Sequence, residues 1–461
     1  MSIKTAITAL SAILGDQLSL SKPDLEAHGQ SESHFAPALP DAVAYPENTA
    51  QVAEIVKICN AHDCPVIAYG AGTALEGHTL APKGGVTLDL GKMNKLLKIN
   101  AEDMDAVLQP GLTREELNTE LRATGLFFPV DPGANATLGG MASTRASGTT
   151  AVRYGTMRDN VVALEVVLAD GRIIRTGSRA RKSSSGYDLT ALFVGAEGTL
   201  GIITELTLRL HGQPEAVSSA VCAFNTITDA VNAVICTIQM GIPMARIEFI
   251  DEDTTRACNA FSGTDMAQVP HLMVEFHGSD AGVAEQAETF GEIVADMGGT
   301  GFKWSSKPEE RKALWQMRHN AYYACLALRK GAVALITDVC VPISRLAEAV
   351  EASRQDIAAS PLQGPILGHV GDGNYHAMFL VEPGNNAEMK LAKELSNRMV
   401  ERALKMGGTA TGEHGIGMGK QDYMQAEHGD GWALMGEIKQ ALDPKNTLNP
   451  SKVVRSQPNN P

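Results

Sequence analysis

The sequence predicts an α+β protein of two or three domains, and three observations carry that prediction. At 461 residues the chain is longer than one hydrophobic core usually serves. Its apolar residues alternate as in strands over some stretches and recur every third or fourth position as in helices over others, the two kinds interleaved. Glycine-rich loops adjoin several strand patterns, and at the first of them, after residue 69, no amphipathic helix can open, which argues against a Rossmann fingerprint.

Hydrophobic residues make up 44% and charged residues 20% of the chain, as in ordinary globular proteins. A net charge of -14 argues against nucleic acid as a partner but not against a small anion held in a local basic pocket. The seven cysteines are scattered without a Cys-x-x-Cys pair, which fits free thiols in a reducing compartment. No apolar run is long enough to span a bilayer. Residues 1–20 space Ile3, Ile7, Leu10 and Leu14 as an amphipathic helix and carry Lys4 and Asp16, unlike a signal peptide. The expectation is a cytoplasmic protein, with peripheral contact to the inner membrane admitted.

Asn48 or Thr49 can cap a helix with apolar positions Val52, Ile55, Val56 and Ile58. The strand pattern at 65–69 then runs into Gly70-Ala71-Gly72-Thr73-Ala74-Leu75-Glu76-Gly77-His78. Gly77, Pro82, Gly84 and Gly85 leave no room for a helix, and no Gly-Lys-Ser/Thr follows. The loop therefore reads either as a plain structural turn or as a nest of backbone amides around a phosphate. Strands at 85–90 and 106–110 lead to a helix opened by the capping box Thr113 to Glu116. A long small-residue stretch follows, from Phe127 through Pro132-Gly133 and Gly139-Gly140 to Arg153-Tyr154-Gly155. Flanking strands at 160–168 and 172–175 argue that it is ordered. A third loop, Gly195-Ala196-Glu197-Gly198-Thr199-Leu200-Gly201, feeds a strand to Leu210.

Gln213-Pro214 marks a boundary. Beyond it, helices at 228–240 and 284–297 alternate with strands at 245–250, 271–277 and 335–341, an α+β pattern. One polar helix is expected over 308–329, containing Trp315, Arg318, His319, Tyr322 and Tyr323. Arg318 reads either as a solvated surface arginine or as a guanidinium fork for a carboxylate. The segment Gly368-His369-Val370-Gly371-Asp372-Gly373-Asn374-Tyr375-His376 reads as a hairpin that puts His369 and His376 on one face. Glu413-His414 arrives on a second glycine turn. Two imidazoles and one carboxylate would leave open positions on zinc, manganese or a similar ion, and the same residues are open to a structural reading.

The glycine loops resemble the flavin-binding domain of the vanillyl-alcohol oxidase and p-cresol methylhydroxylase superfamily. The resemblance implies an FAD-binding domain of two α+β subdomains beside an α+β, ferredoxin-like substrate cap. The implied FAD contacts are Pro46, then Tyr69, Gly70, Ala71, Gly72, Thr73, Ala74, Glu76, Gly77 and His78 in the first loop. In the second stretch they are Pro132, Gly133, Thr137, Gly139, Gly140, Ser143, Ser147, Gly148, Tyr154 and Gly155; Glu197, Gly198, Ile202 and Ile203 follow in the third. Some superfamily members attach the flavin through a histidine in the first loop. Thr73 stands at the matching position, so non-covalent FAD is implied.

Residues 40–455 further resemble the FAD-dependent D-2-hydroxyacid dehydrogenases, most specifically over 368–376 and Gly412-Glu413-His414-Gly415-Ile416-Gly417. That family implies His369, His376 and Glu413 as ligands of a divalent metal (zinc or manganese) and His414 as the catalytic base. Its substrate contacts map to Arg318, Tyr322, Lys330, Asn374 and His414, and the tail around Asn449 returns to the isoalloxazine. The implied domains are 1–212 for FAD, with a contacting core from about residue 40, 213–425 for substrate and metal, and a returning segment at 426–461. D-lactate is the first substrate, with D-2-hydroxyglutarate or a glycolate oxidase FAD subunit as alternatives and a metallohydrolase as the rival of another class. Lys330 and Arg329 are candidates for the second carboxylate of hydroxyglutarate. No haem or iron–sulfur motif is present, so electrons would pass to an external cytochrome, quinone or electron-transfer flavoprotein. A homodimer is compatible with all of this.

Overall fold

The computed structural model describes residues 2–31 and 33–455; residues 456–461 of the expected C-terminal segment lie outside the described residues. The chain forms two compact units. One comprises Met1–Ser147, Gly155–Gln213 and Glu413–Pro461, the other Gly148–Tyr154 and Pro214–Gly412. The sequence placed the corresponding boundaries at 212/213 and 425/426.

The first unit contains β1 (Leu18–Ser19), β2 (Ala42–Ala44), β3 (Val66–Tyr69), β4 (Val86–Asp89), β5 (Leu96–Asn100), β6 (Asp105–Leu108), β7 (Leu126–Phe127), β8 (Val161–Val167), β9 (Ile173–Gly177), β10 (Ile202–Arg209) and β11 (His211–Gly212). They make a four-stranded sheet in the order β1-β2-β4-β3 and a five-stranded sheet in the order β5-β6-β10-β8-β9, with β7 and β11 paired apart. The parallel pairing of β2, β4 and β3 requires a crossover. It is the helix Thr49–Ala61, started by Asn48, whose side chain accepts from the Gln51 amide, and buried through Val52, Ile55, Val56 and Cys59. Each face of β8 and β10 meets a different core. Val167 and Ile202 join the cluster under the four-stranded sheet, whereas Val166 and Ile203 join that of the five-stranded sheet. The tail closes this unit beside β3: Val66 N donates to Thr447 O at 2.8 Å and Asn449 N to Val66 O at 2.8 Å.

The second unit is built on an antiparallel sheet of β12 (Ala216–Ala223), β13 (Met244–Ile250), β14 (His271–Gly278), β15 (Thr300–Ser305), β16 (Val333–Ile336), β17 (Val339–Cys340), β18 (Ile366–Gly368) and β19 (Asn374–Val381). The order is β15-β12-β14-β13-β18-β19-β16, with β17 also on β19. Register pairs Glu248 with Met273, Arg246 with Glu275, Ile250 with Leu367, and Leu367 with His376. Paired residues share a face, so Arg246, Glu248, Glu275 and His376 lie on the face that also carries Ile250, Met273 and Leu367. Trp315, Met317, Ala321 and Cys325 pack on those apolar residues.

Two expectations are corrected here. The single helix expected over 308–329 is two helices, Pro308–His319 and Ala321–Ala327, separated at Asn320, a residue type that competes poorly inside helices. The single strand expected over 335–341 is interrupted between β16 and β17. Thr337 keeps one backbone bond to β19, its N–H donating to Ala377 O at 3.0 Å, but its hydroxyl accepts from Ala377 N at 2.8 Å and its carbonyl from His376 Nδ1 at 2.9 Å.

Candidate functional site

The first unit offers a cradle for a phosphate-bearing ligand. No helix follows β3; residues 70–85 run as turns and bends. Among the described residues, the backbone amides of Ala71, Gly72, Thr73 and Ala74 donate to no protein acceptor. Amides left in this way suit an anion. Gly72 has φ +73°, and a Cβ there would collide with the Tyr69 hydroxyl, so only glycine keeps the loop at this curvature. The second stretch is tied to the third loop, since Glu197 N donates to Ser143 O at 2.8 Å.

Glu197 organises the rest of this cradle. Buried and held at φ +54°, it accepts from Ile416 N at 2.7 Å and Gly417 N at 2.8 Å. His78 Nε2 lies 3.1 Å from Oε2, the oxygen that accepts from Gly417 N. Burial pushes its carboxyl pKa up, but the His78 charge and these amides outweigh burial and hold it below the ordinary carboxylate value. The Glu197 carbonyl accepts from Asn449 Nδ2 at 2.7 Å, and the His78 carbonyl accepts from the same amide at 3.2 Å. Asn449 Oδ1 is buried with no donor among the described residues. The open amides and this carbonyl oxygen fit a dinucleotide such as FAD.

The second unit holds the titratable cluster. His369 and His376 face each other with ring centroids 5.6 Å apart, and each offers a nitrogen within 4.8 Å of the other's. His369 Nδ1 is 2.7 Å from Glu248 Oε1, and His376 Nδ1 is 2.9 Å from Thr337 O. A carboxylate and a carbonyl can only accept, so both rings carry the proton on Nδ1, and Nε2 is the nitrogen that could ligate a metal ion. That tautomer suits a metal ion. Arg318 is nearly buried, with Nη2 2.6 Å from Glu248 Oε2. Glu248 is fully buried; burial raises its pKa, but His369 and Arg318 outweigh burial and keep it ionised. Behind His376, Asp338 accepts from Asn374 Nδ2 at 2.8 Å and from the Thr411 hydroxyl at 2.5 Å. Gly412 packs so closely on Asn374 that a Cβ would overlap its side chain. The chain leaves the second unit at this glycine, and Glu413 and His414 are the next two residues.

The sequence-predicted residues fall as follows. Those from Pro46 to Ser147, with Gly155, Glu197, Gly198, Ile202, Ile203 and Asn449, belong to the first unit. Ile202 and Ile203 are core residues whose side chains face away into two apolar clusters. Gly148 and Tyr154 belong to the second unit, where the Tyr154 hydroxyl lies 2.7 Å from His277 Nδ1. Arg318, Asn374, His369 and His376 are joined through Glu248 and Asp338. Lys330 is exposed after the second of the two short helices and makes no ion pair or hydrogen bond among the described residues. Tyr322 is 38% exposed and stacks edge-on with Tyr323. Arg329 forks onto Glu388 at 2.7 and 3.0 Å. Glu248 and Asp338 were not singled out from sequence. In β13 the alternation of Arg246 and Glu248 with Ala245, Ile247 and Phe249 reads as a solvent face, although both faces are covered.

Comparison with known proteins agrees with both halves. Residues 40–177 match a family model described as an FAD binding domain, and residues 213–453 match that of the FAD linked oxidases, C-terminal domain. A probable mitochondrial D-lactate dehydrogenase of Danio rerio is 46% identical over 98% of this chain and 92% of its own length. A mitochondrial D-lactate dehydrogenase (cytochrome) of Arabidopsis thaliana is 44% identical over 98% of this chain and 80% of its own. Among solved structures, substrate-bound p-cresol methylhydroxylase superposes with a TM-score of 0.80 at 20% identity, covering 98% of this chain and 96% of the other. The α+β fold and the flavoprotein resemblance expected from sequence are thereby met.

Proposed function

The chain belongs to the FAD-linked oxidases, an FAD-dependent oxidoreductase, and from that premise we propose that it oxidises a D-2-hydroxyacid, D-lactate first, to the 2-oxoacid. The first unit serves as the FAD domain and the second as the substrate domain. The observation that carries this reading is the pair Arg318 and His369, both bound to Glu248, which sets a carboxylate-binding guanidinium beside a ligating imidazole. Bound FAD supplies a two-electron acceptor, and a divalent cation held by His369, His376 and Glu413 supplies a Lewis acid.

The protein's own groups do the rest. Arg318 takes the substrate carboxylate as a two-pronged donor. Asn374 is fixed by Asp338 and the Val339 carbonyl and offers a polar group to the substrate. His414 accepts the C2 hydroxyl proton on an imidazole nitrogen. Electrons leave to an external cytochrome, quinone or electron-transfer flavoprotein. D-lactate is preferred to D-2-hydroxyglutarate because a distal carboxylate needs another cation, and Arg329 is already committed to Glu388. Lys330 and Tyr322 remain as the groups to contact a longer substrate. FAD is held without a covalent bond: Thr73 offers no imidazole, and His78 is packed against Glu197.

The test is anaerobic bleaching of the flavin by a panel of D- and L-2-hydroxyacids, with and without chelator. Bleaching by D-lactate that disappears on metal removal and returns with zinc or manganese is expected. Equal bleaching by the L-acid, or indifference to the chelator, would overturn the assignment.

A further inference from the structure

Glu248 lies in the middle of β13, with a fully buried side chain. Its two oxygens are divided between two functions. Oε1 meets His369 Nδ1 at 2.7 Å and Oε2 meets Arg318 Nη2 at 2.6 Å. These partners come from separate parts of the chain: His369 follows β18, and Arg318 lies near the end of the helix Pro308–His319. Trp315, one turn earlier on that helix, is pinned from its own side. Its Nε1 donates to the Ser219 hydroxyl at 3.0 Å, and Arg246 lies over its ring at 4.7 Å. Arg246 and Glu248 are two residues apart on β13 and so share a face. Strand and helix are thus registered at two places along one sheet face. The Glu248 contact reaches His369, whereas the Trp315 contact leads through Ser219 and Glu275 to His277.

We infer that Glu248 is a positioning residue that couples the carboxylate clamp to the metal ligand: it holds His369 in the Nδ1-protonated tautomer while fixing the angle of the Arg318 guanidinium. The inference rests on the proposed metal and substrate reading and adds to it a shared support for both. Its two acceptor oxygens are what the role requires. A glutamine has one acceptor and one N–H₂ group, so it can serve His369 or Arg318 but turns a donor toward the other. A shorter aspartate cannot span both. Outer hydrogen-bond partners of this type tune metal affinity and ligand orientation.

The experiment uses the full FAD-loaded chain, stripped of metal and titrated with Zn²⁺ against a competing chelator, beside KM for D-lactate and thermal midpoints. Glu248→Gln is expected to weaken Zn²⁺ binding roughly 10- to 100-fold and to raise KM. Arg318→Met is expected to raise KM while leaving Zn²⁺ affinity within about twofold, because it removes no group from the histidine. Glu248→Gln leaves a buried guanidinium without its anion, so its thermal midpoint falls as well. The double variant E248Q/R318M separates the two effects: the midpoint recovers while Zn²⁺ affinity stays weak. If affinity returns together with the midpoint, Glu248 is a structural residue only and the inference is overturned. His376→Ala checks the underlying reading. Zn²⁺ bound as in the wild type by that variant removes the metal site and this inference with it. Zn²⁺ lost by His376→Ala but retained in full by Glu248→Gln leaves the metal site standing and sinks the coupling alone.

Discussion

Replacing Glu197 with glutamine tests the cradle of the first unit most directly. Its carboxylate accepts from Ile416 N at 2.7 Å and Gly417 N at 2.8 Å and faces His78 at 3.1 Å. Glutamine keeps the shape but offers one acceptor oxygen. Whichever way the amide turns, one of the two backbone N–H groups meets another donor. A hydrogen bond to a charged group contributes about 1.5–3 kcal/mol, and a buried donor left without an acceptor costs about 1–3 kcal/mol. The turn at 416–417 can relax by a small shift, so a loss of about 3 kcal/mol is expected. It is read as a lowered urea midpoint of the FAD-loaded protein, followed by flavin fluorescence. The pH dependence has a definite sign. The folded-state pKa of Glu197 lies below its ordinary 4.5, so its stabilisation is fully present above that value and fades as pH falls through the folded pKa. The difference between wild type and Glu197→Gln should therefore be constant at neutral pH and shrink in acid. A loss under about 0.5 kcal/mol at pH 7 would refute the account of Glu197 as the acceptor that orders this turn.

Three further outcomes are expected. His414→Ala should remain yellow and FAD-loaded, while flavin reduction by D-lactate slows by about 10²- to 10⁴-fold in stopped flow; normal reduction removes His414 from the chemistry. Acid precipitation should release all the flavin into the supernatant, and yellow colour retained in the pellet would show a covalent bond that Thr73 and His78 cannot explain. Burial pushes the Cys222 and Cys325 thiols up to about 12 and Cys258 to about 11, and Cys59 and Cys64 are fully buried. A thiol reagent should label Cys236 and Cys340 in the native protein and the other five only after denaturation; rapid native labelling of Cys222 would contradict the packing of β12.

What the sequence disclosed, it disclosed through local chemistry. The capping box at Thr113 forms as read, with the Glu116 carboxylate 2.9 Å from Thr113 N and the Thr113 hydroxyl accepting from Glu116 N. Rejecting a helix after Gly70 follows from Pro82, Gly84 and Gly85, and none is there. The hairpin brings His369 and His376 together because its turn is short. Long-range pairing was not legible. Nothing near Glu248 in sequence announces His369 at |i−j| of 121, and a charged residue alternating with apolar ones reads as a solvated face. The irregularity at Thr337 was hidden for a related reason: it is decided elsewhere on the sheet, by the Ala377 amide that donates to the Thr337 hydroxyl.

The cost of burying Glu248 bears on what it is for. Its register partner is Met273 and its neighbour on the same face is Ile250, so an aliphatic side chain would continue an apolar surface already covered by Trp315 and Met317. Taking a carboxylate and a guanidinium out of water is expensive, and well-packed apolar replacements of buried ion pairs are often neutral or stabilising. Stability alone therefore gives a weak reason for the Glu248–Arg318 pair. Orientation gives a stronger one. Left without Glu248, Arg318 would be free to swing among its rotamers and His369 could move its proton to Nε2, where it could no longer ligate. A single carboxylate that accepts from His369 and ion-pairs with Arg318 removes these freedoms together. The same reasoning applies with less force to Asp338, which reaches His376 Nδ1 only at 3.8 Å and leaves the Thr337 carbonyl to fix that ring. The two histidines are therefore supported unequally. Zn²⁺ affinity should fall further for Glu248→Gln than for Asp338→Asn, since the asparagine leaves the hydrogen bond that sets the His376 tautomer in place. An equal or larger loss at Asp338 would mean that the charge behind the rings, rather than the tautomer, governs the site.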